Sequence, residues 1–111
     1  MSDTIDLPAA VPAELLDSII AYFHPRRVIL FGSQARGDAG PDSDIDLLVE
    51  LDDDFPPERL SAKAILAARG RYPRAVDIVP YRASALASRA RAIGSFAHIM
   101  LRDGVTVYER R

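Results

Sequence analysis

Two short apolar runs, residues 28–31 and 47–49, lie on either side of a segment that is rich in Gly and Asp and contains one Pro. Apolar runs of this length suit buried β-strands, and the Gly and Pro residues between them mark a loop. We therefore predict one strand over residues 27–31 and a second over residues 45–51. The loop between them begins with a Gly-Ser pair, and an Asp-x-Asp tripeptide leads into the second strand.

The Asp-x-Asp tripeptide places two carboxylates on the predicted second strand. Because side chains alternate between the two faces of a strand, Asp44 and Asp46 would project to one face. The other face would carry the apolar Ile45, Leu47 and Val49. Two carboxylates this close repel each other unless a cation lies between them, and Mg²⁺ is bound by one or two carboxylates plus substrate phosphates. Taken alone, the tripeptide fits either a magnesium site or the polar face of an edge strand.

The Gly-Ser pair, Gly32 and Ser33, directly follows the first predicted strand. Glycine allows a tight turn, serine is a favoured helix N-cap, and the free N–H groups at a helix start attract phosphate. The pair is a candidate nucleotide-binding turn, although by itself it also fits an ordinary strand-to-helix turn. Arg36 can contact a phosphate or pair with Asp38 or Asp42.

These residues together resemble a known family. Leu-Phe-Gly-Ser, ten residues, then Asp-Ile-Asp-Leu over residues 30–47 resembles the Gly-Ser-x10-Asp-x-Asp signature of the nucleotidyltransferase superfamily that includes DNA polymerase β. The longer sequence FGSQARGDAGPDSDIDLLV, residues 31–49, is similar to sequences of the minimal nucleotidyltransferase branch. The resemblance extends from about residue 14 to residue 108, and it is most specific at its centre. It implies an α/β fold with a small mixed β-sheet and flanking helices.

The resemblance also implies a third carboxylate on a neighbouring strand, and Asp77 is the candidate. An acid inside a β-branched run is unusual for a buried strand unless it has a partner. In the family this residue helps to remove the proton from the attacking hydroxyl, so we expect Asp77 to bind metal and to act as the base. The alternative is that Asp77 faces water or pairs with Arg74 or Arg82.

Hydrophobic spacing and proline positions predict the other elements. One helix starts at Pro12 and ends before Pro25, and a second opens at Pro56-Pro57 and stops at Gly70. A third helical segment covers about residues 84–101, and Gly94 kinks or divides it. Two further strands are predicted, one over residues 76–79, closed by Pro80, and one over residues 105–108. The acidic run at 52–54 is interpreted as a solvated loop with no metal role. Three arginines, at 82, 89 and 91, fit a solvated helix face, or contacts to triphosphate or an acidic partner.

Composition excludes several classes of protein. The 111 residues suit a single domain, with residues 1–10 as a loose lead-in. A net charge of −2 provides no broad basic field for nucleic acid, and the absence of cysteine excludes disulfides and thiol chemistry. The N-terminus lacks a hydrophobic signal core, and no apolar run is long enough to span a membrane. We expect a soluble cytoplasmic protein.

By the resemblance, we expect ATP to bind with its phosphates at the Ser33 turn. Asp44, Asp46 and Asp77 would hold Mg²⁺, as one ion or two. An acceptor hydroxyl would attack the α-phosphorus in line, and pyrophosphate would leave. Most of the rate enhancement would come from positioning and charge neutralisation.

The acceptor pocket is expected to come from another polypeptide, because the chain ends soon after the core. Short members of the branch are paired with small helical HEPN proteins, and some transfer AMP to a tyrosine of that partner. The resemblance therefore implies a protein adenylyltransferase that serves as the antitoxin of a type VII-like toxin–antitoxin pair. Self-association could also supply the pocket. Two alternatives stay open, an enzyme acting on a small hydroxylated molecule such as an antibiotic, and a non-catalytic antitoxin that acts by binding.

Overall fold

The computed structural model describes residues 11–32 and 45–110. These residues form the predicted α/β fold, and they contain four strands and four α-helices. In chain order the elements are α1 (Ala13–Phe23), β1 (Arg27–Phe31), β2 (Ile45–Leu51), α2 (Ala62–Ala68), β3 (Val76–Arg82), α3 (Ala83–Ala90), α4 (Phe96–Asp103) and β4 (Val105–Glu109). A short 3₁₀ helix, Pro57–Leu60, precedes α2.

The four strands form one mixed sheet in the order β3-β2-β1-β4. Strand β1 is antiparallel to both β2 and β4, whereas β2 is parallel to β3. The bounds predicted for the first two strands agree with β1 and β2. The two central strands are therefore the ones that the Gly-Ser and Asp-x-Asp sequences adjoin, and β3 and β4 form the edges.

Helices cover both faces of the sheet, so there is a core cluster on each face. The side chains of β2 alternate between these two clusters. Ile45, Leu47 and Val49 are buried in a cluster that includes residues of α1 and α2, so the predicted apolar face is confirmed. Leu48 points the other way, into a second cluster with residues of α3 and α4, among them Met100. Because each fully buried side chain of this size contributes about 1.5–3 kcal/mol, both clusters hold β2 in place.

Strand β3 is longer than predicted. Its bounds are Val76–Arg82, so Pro80 does not close the strand but lies within it, paired in register with Val49. The prediction was wrong because it treated proline as a terminator in any strand. Proline removes one ladder N–H, which an edge strand tolerates because one of its sides has no neighbouring strand.

Two predicted helices are each divided in the structure. The segment predicted from residue 56 to residue 70 contains a 3₁₀ helix and then α2, and the segment over 84–101 contains α3 and α4. In both cases a serine begins the second helix, since Ser61 accepts from the backbone N–H of Ala64 and Ser95 from that of His98, each at 3.1 Å. Serine favours an N-cap over a helix interior because its hydroxyl bonds the backbone locally. Across residues 11–32 and 45–110, no helix combines the length and apolar character needed to cross a membrane.

The acidic run at 52–54 is a loop, as predicted, and two of its acids have partners within the chain. Asp52 accepts hydrogen bonds from Arg110 at 2.7 Å and Arg26 at 3.4 Å. The Arg110 hydrogen bond is the main cause that lowers the pKa of the Asp52 carboxyl. Asp53 accepts from the backbone N–H of Ser84 at 2.9 Å, in the first turn of α3. These contacts give the run a structural role at the ends of β2 and α3.

His24 ends α1 in a left-handed conformation, with φ of 45° and ψ of 53°. Side chains other than glycine pay about 1–2 kcal/mol in this region. We expect His24→Gly to raise the free energy of unfolding by about 1 kcal/mol, because glycine removes this strain at a helix end. Urea denaturation followed by circular dichroism measures the change. His24→Ala is the control, since it keeps a Cβ, and equal stability of the two variants would contradict the prediction.

Candidate active site

Asp46 and Asp77 lie side by side on neighbouring strands. In the parallel ladder between β2 and β3 they are paired in register, so their side chains project to the same face of the sheet. Neighbouring strands lie about 4.8 Å apart, which places the two carboxylates within reach of one ion. Asp46 is half-buried, whereas Asp77 is exposed at the edge of the sheet. Two carboxylates at this spacing repel each other, and a bound cation relieves the repulsion.

Gly32 lies against the Asp46 carboxylate. It follows the last residue of β1, Phe31, which is paired in register with Asp46. The φ angle of Gly32 is +76°, and a Cβ placed on it would overlap Asp46 Oδ2 and lie 3.3 Å from Asp46 Cγ. Glycine is therefore required both for the backbone conformation and for the close approach. The turn at the end of β1 and the Asp46 carboxylate therefore meet at one end of the sheet.

The structure thus brings together three of the residues that the sequence singled out, Gly32, Asp46 and Asp77. The other three, Ser33, Arg36 and Asp44, lie outside the described residues. The roles of all six in binding nucleotide or metal stay predictions.

The donor set suits a hard divalent cation. Asp46 and Asp77 offer carboxylate oxygens on one face, which is the ligand type that Mg²⁺ prefers. Within residues 11–32 and 45–110, no group of three or more His, Cys, Asp or Glu side chains is placed to hold a metal. The described pair is smaller than such a group, and Asp44 is the residue that the sequence predicts to complete a metal site. Residues Asp44, Asp46 and Asp77 would together hold Mg²⁺.

One of the arginines considered as partners of Asp77 is engaged elsewhere, since Arg82 donates a hydrogen bond to the carbonyl oxygen of Phe55 at 2.8 Å. Among the described residues, Asp77 itself makes no ion pair or side-chain hydrogen bond. By itself, the exposure of Asp77 to water would fit an ordinary surface acid. The alignment with Asp46 is the feature that favours a shared ligand.

The opposite end of the sheet carries a second concentration of charge. A groove of about 380 Å³ is lined by Arg26, Arg27, Glu50, Glu109 and Arg110. Its arginines are paired with acids of the chain, since Arg27 contacts Glu50 at 3.0 Å and Arg110 contacts the Asp52 carboxylate. Glu50 lies four residues beyond Asp46 on β2, about 13 Å away along the strand. This groove is therefore separate from the carboxylate pair, and its charges stabilise the fold.

The sequence did not single out the aromatic pair beside the carboxylates. The Phe31 and Phe96 rings meet edge to face, with centroids 5.8 Å apart and an interplanar angle of 81°. Phe96 was predicted only as part of the apolar face of a long helix. No spacing in the sequence identifies this contact, because Phe31 and Phe96 are distant in the chain and meet only when α4 packs on the sheet.

The chain was also compared with known proteins. The sequence model of a protein family described as "nucleotidyltransferase domain" matches residues 13–96. This range includes Gly32, Asp46 and Asp77. The four-stranded mixed sheet with four helices is consistent with the polymerase β-like fold of that superfamily. No curated protein matches the chain.

Gly32→Ala should weaken Mn²⁺ binding, with Mn²⁺ used as a spectroscopic substitute for Mg²⁺. The added Cβ would displace the Asp46 carboxylate, and misorienting a metal ligand reduces affinity by about tenfold or more. Electron paramagnetic resonance titration measures the affinity.

Gly70→Ala is the matched control for this prediction. Its φ is +65°, and its Cβ would lie 2.5 Å from the Ser18 hydroxyl oxygen, on the layer of α1 and α2. Both variants therefore carry backbone strain of about 1 kcal/mol and crowd a side-chain oxygen. Equal Mn²⁺ affinities in the two would show that Gly32 does not position Asp46.

Proposed function

Because this chain belongs to the nucleotidyltransferase domain family, we propose that it transfers AMP from ATP to an acceptor hydroxyl in a Mg²⁺-dependent reaction. The observation that supports this most directly is the alignment of Asp46 with Asp77 beside the Gly32 turn. Family membership indicates nucleotide transfer in general. The choice of ATP, of Mg²⁺ and of the acceptor is our proposal.

The chain's own residues would divide the work. Asp44, Asp46 and Asp77 would hold Mg²⁺, which when bound neutralises charge on the triphosphate. The Gly32 and Ser33 turn would hold the phosphates with backbone N–H groups and a hydroxyl, and Arg36 would add a positive charge. Because the Asp77 carboxylate is exposed, it can meet a hydroxyl that arrives from outside the chain.

The proposed reaction balances without a further reactant. The acceptor oxygen forms a bond to the α-phosphorus of ATP, and the bond from that phosphorus to the bridging oxygen of the β-phosphate breaks. Pyrophosphate leaves with the electron pair of the broken bond, and the proton of the acceptor hydroxyl passes to Asp77. Holding the hydroxyl and the α-phosphorus in line supplies much of the rate enhancement.

The proposed acceptor is a tyrosine of a small helical partner of the HEPN family, for which this chain would act as antitoxin in the cytoplasm. The support for this partner is the resemblance of residues 31–49 to the minimal nucleotidyltransferase branch. The exposed position of Asp77 on edge strand β3 is compatible with a protein acceptor, because a folded partner can approach an edge directly. A small hydroxylated molecule and inhibition by binding alone are the outcomes against which this proposal is tested.

Asp46→Asn and Asp77→Asn should each lower nucleotide transfer by about 100-fold or more, because each removes a charge that holds the metal or accepts the proton. Transfer is measured as Mg²⁺-dependent incorporation of label from α-³²P-ATP in a lysate of the source cells. Asp54→Asn is the control, since Asp54 is exposed in the acidic loop and should leave transfer unchanged. Wild-type rates in both site variants, at unchanged thermal stability, would refute the assignment.

The position of the label in ATP distinguishes the reaction class. The readout is label that appears only when the chain is added to the lysate. With α-³²P-ATP we expect such a labelled protein, and with γ-³²P-ATP none, because the γ-phosphate leaves in pyrophosphate. Chain-dependent label in small molecules would support an enzyme of the antibiotic-modifying kind. Absence of chain-dependent label with both ATPs would support inhibition by binding alone. Chain-dependent protein label from γ-³²P-ATP would indicate phosphorylation and contradict nucleotidyl transfer.

A further inference from the structure

Three large apolar side chains are exposed where α3 passes into α4. Ile93 is 90% exposed, Phe96 56% and Ile99 38%. Ile93 lies in the connection between the two helices, and Phe96 and Ile99 are three residues apart in α4, so they share a helix face. We call these three residues the apolar patch. Clustered exposed apolar side chains mark interaction surfaces more often than isolated ones do.

The apolar patch is continuous with the candidate active site. The Phe96 ring contacts the Phe31 ring edge to face, and Phe31 is paired in register with Asp46. Asp46 in turn is paired with Asp77. A molecule that covers Phe96 would consequently lie near Asp46, and Asp77 lies one strand farther away, at about 5 Å. This continuity separates the patch from Leu66, an exposed apolar residue of α2 on the opposite layer.

The helical segment that carries the patch has an excess of positive charge, whereas the carboxylates of the candidate site lie on the side of Phe31. Residues 83–103, which form α3, the connection and α4, contain three arginines and one aspartate and have a net charge of +2, whereas the whole chain has −2. Arg102 is paired with Asp103 at 2.9 Å, and Arg89 lies over the Tyr81 ring at 5.8 Å. Arg91 is exposed and, within the part of the chain that the structure describes, has no acidic partner.

We propose that the apolar patch docks the acceptor protein, through an apolar surface of that protein bordered by Asp or Glu. This inference rests on the proposed function and adds to it the chemistry of the surface that surrounds the acceptor hydroxyl. Aromatic residues and arginine are enriched at the centres of protein interfaces, and opposite charges at the rim favour the correct partner. A partner seated on Phe96 would present its hydroxyl next to Asp46 and Asp77.

A second copy of this chain fits the patch less well. In a symmetric dimer the same surface meets itself, so the positively charged helical segment of one copy would face that of the other. Like charges brought together in this way oppose association. A specific interface also buries about 800 Å² on each partner. The three side chains supply only the apolar centre of such an area, and the arginines around them supply part of the rim.

Two synthetic amphipathic helices test the proposed chemistry. Each has about 15 residues, the same leucine face and a single tyrosine, with either Glu or Lys beside the apolar face. Fluorescence anisotropy measures their binding to the full chain, and α-³²P-ATP measures transfer to their tyrosine. We expect the Glu peptide to bind about tenfold or more tightly than the Lys peptide, a difference that added salt reduces.

Variants of the patch provide the decisive comparison. Ile93→Glu should weaken binding of the Glu peptide about tenfold, because it places a charge in the apolar centre. Arg91→Glu should shift the preference towards the Lys peptide. Leu66→Glu is the matched control, since it makes the same kind of change at a 62% exposed residue of α2 and should leave both affinities unchanged.

The outcomes separate this inference from the proposed function. Failure of both peptides to bind, equal binding of the two, or equal effects of Ile93→Glu and Leu66→Glu would overturn the docking surface. A wild-type dimer in light scattering that Ile93→Glu dissociates would assign the patch to a second copy and overturn it as well. Mg·ATP binding, measured by calorimetry, should be the same in Ile93→Glu and the wild type. Absence of Mg·ATP binding in the wild type would contradict the proposed function itself.

Discussion

The parallel pairing of β2 with β3 is the constraint on which the candidate site depends. It aligns Asp46 with Asp77, so both carboxylates project from one face at the spacing of neighbouring strands. A shift of this register by one residue would turn Asp77 to the opposite face. Packing of Val76 and Ile78 of β3 against the layer of α1 and α2 opposes such a shift, because these apolar side chains would then leave the core. The packing that stabilises the sheet thus also positions the acids.

The end of β1 adds the second element of the site. Gly32 has a positive φ and approaches Asp46 so closely that a Cβ has no room, which joins the turn and the acid into one unit. The opposite end of β2 has a different role. There Arg27 pairs with Glu50, and Arg110 with Asp52, so the charges are neutralised within the chain. Strand β2 therefore has stabilising ion pairs at one end. At its other end, the carboxylate of Asp46 is aligned with that of Asp77 on β3.

The division of the last helical segment connects the fold with the proposed docking surface. Ser95 caps α4, and Gly94 before it has a φ of +86°, so the chain changes direction between α3 and α4. Met100 then packs into the core beneath the sheet, while Phe96 reaches Phe31 and keeps much of its ring in solvent. A single continuous helix would not allow this change of direction. An apolar surface next to the acids follows from a local backbone feature.

The sequence by itself determined the α/β class, the bounds of β1 and β2, and the alternation that separates Asp46 from Ile45, Leu47 and Val49. These features follow from local patterns, since apolar runs bounded by proline and glycine define strands and side chains alternate along them. Only the tertiary structure decided that β3 runs parallel to β2 with Asp77 beside Asp46, that Pro80 is tolerated at an edge, and that Phe96 meets Phe31. The physical reason is that these features depend on pairing and packing between segments far apart in the chain, which no local pattern of residues encodes.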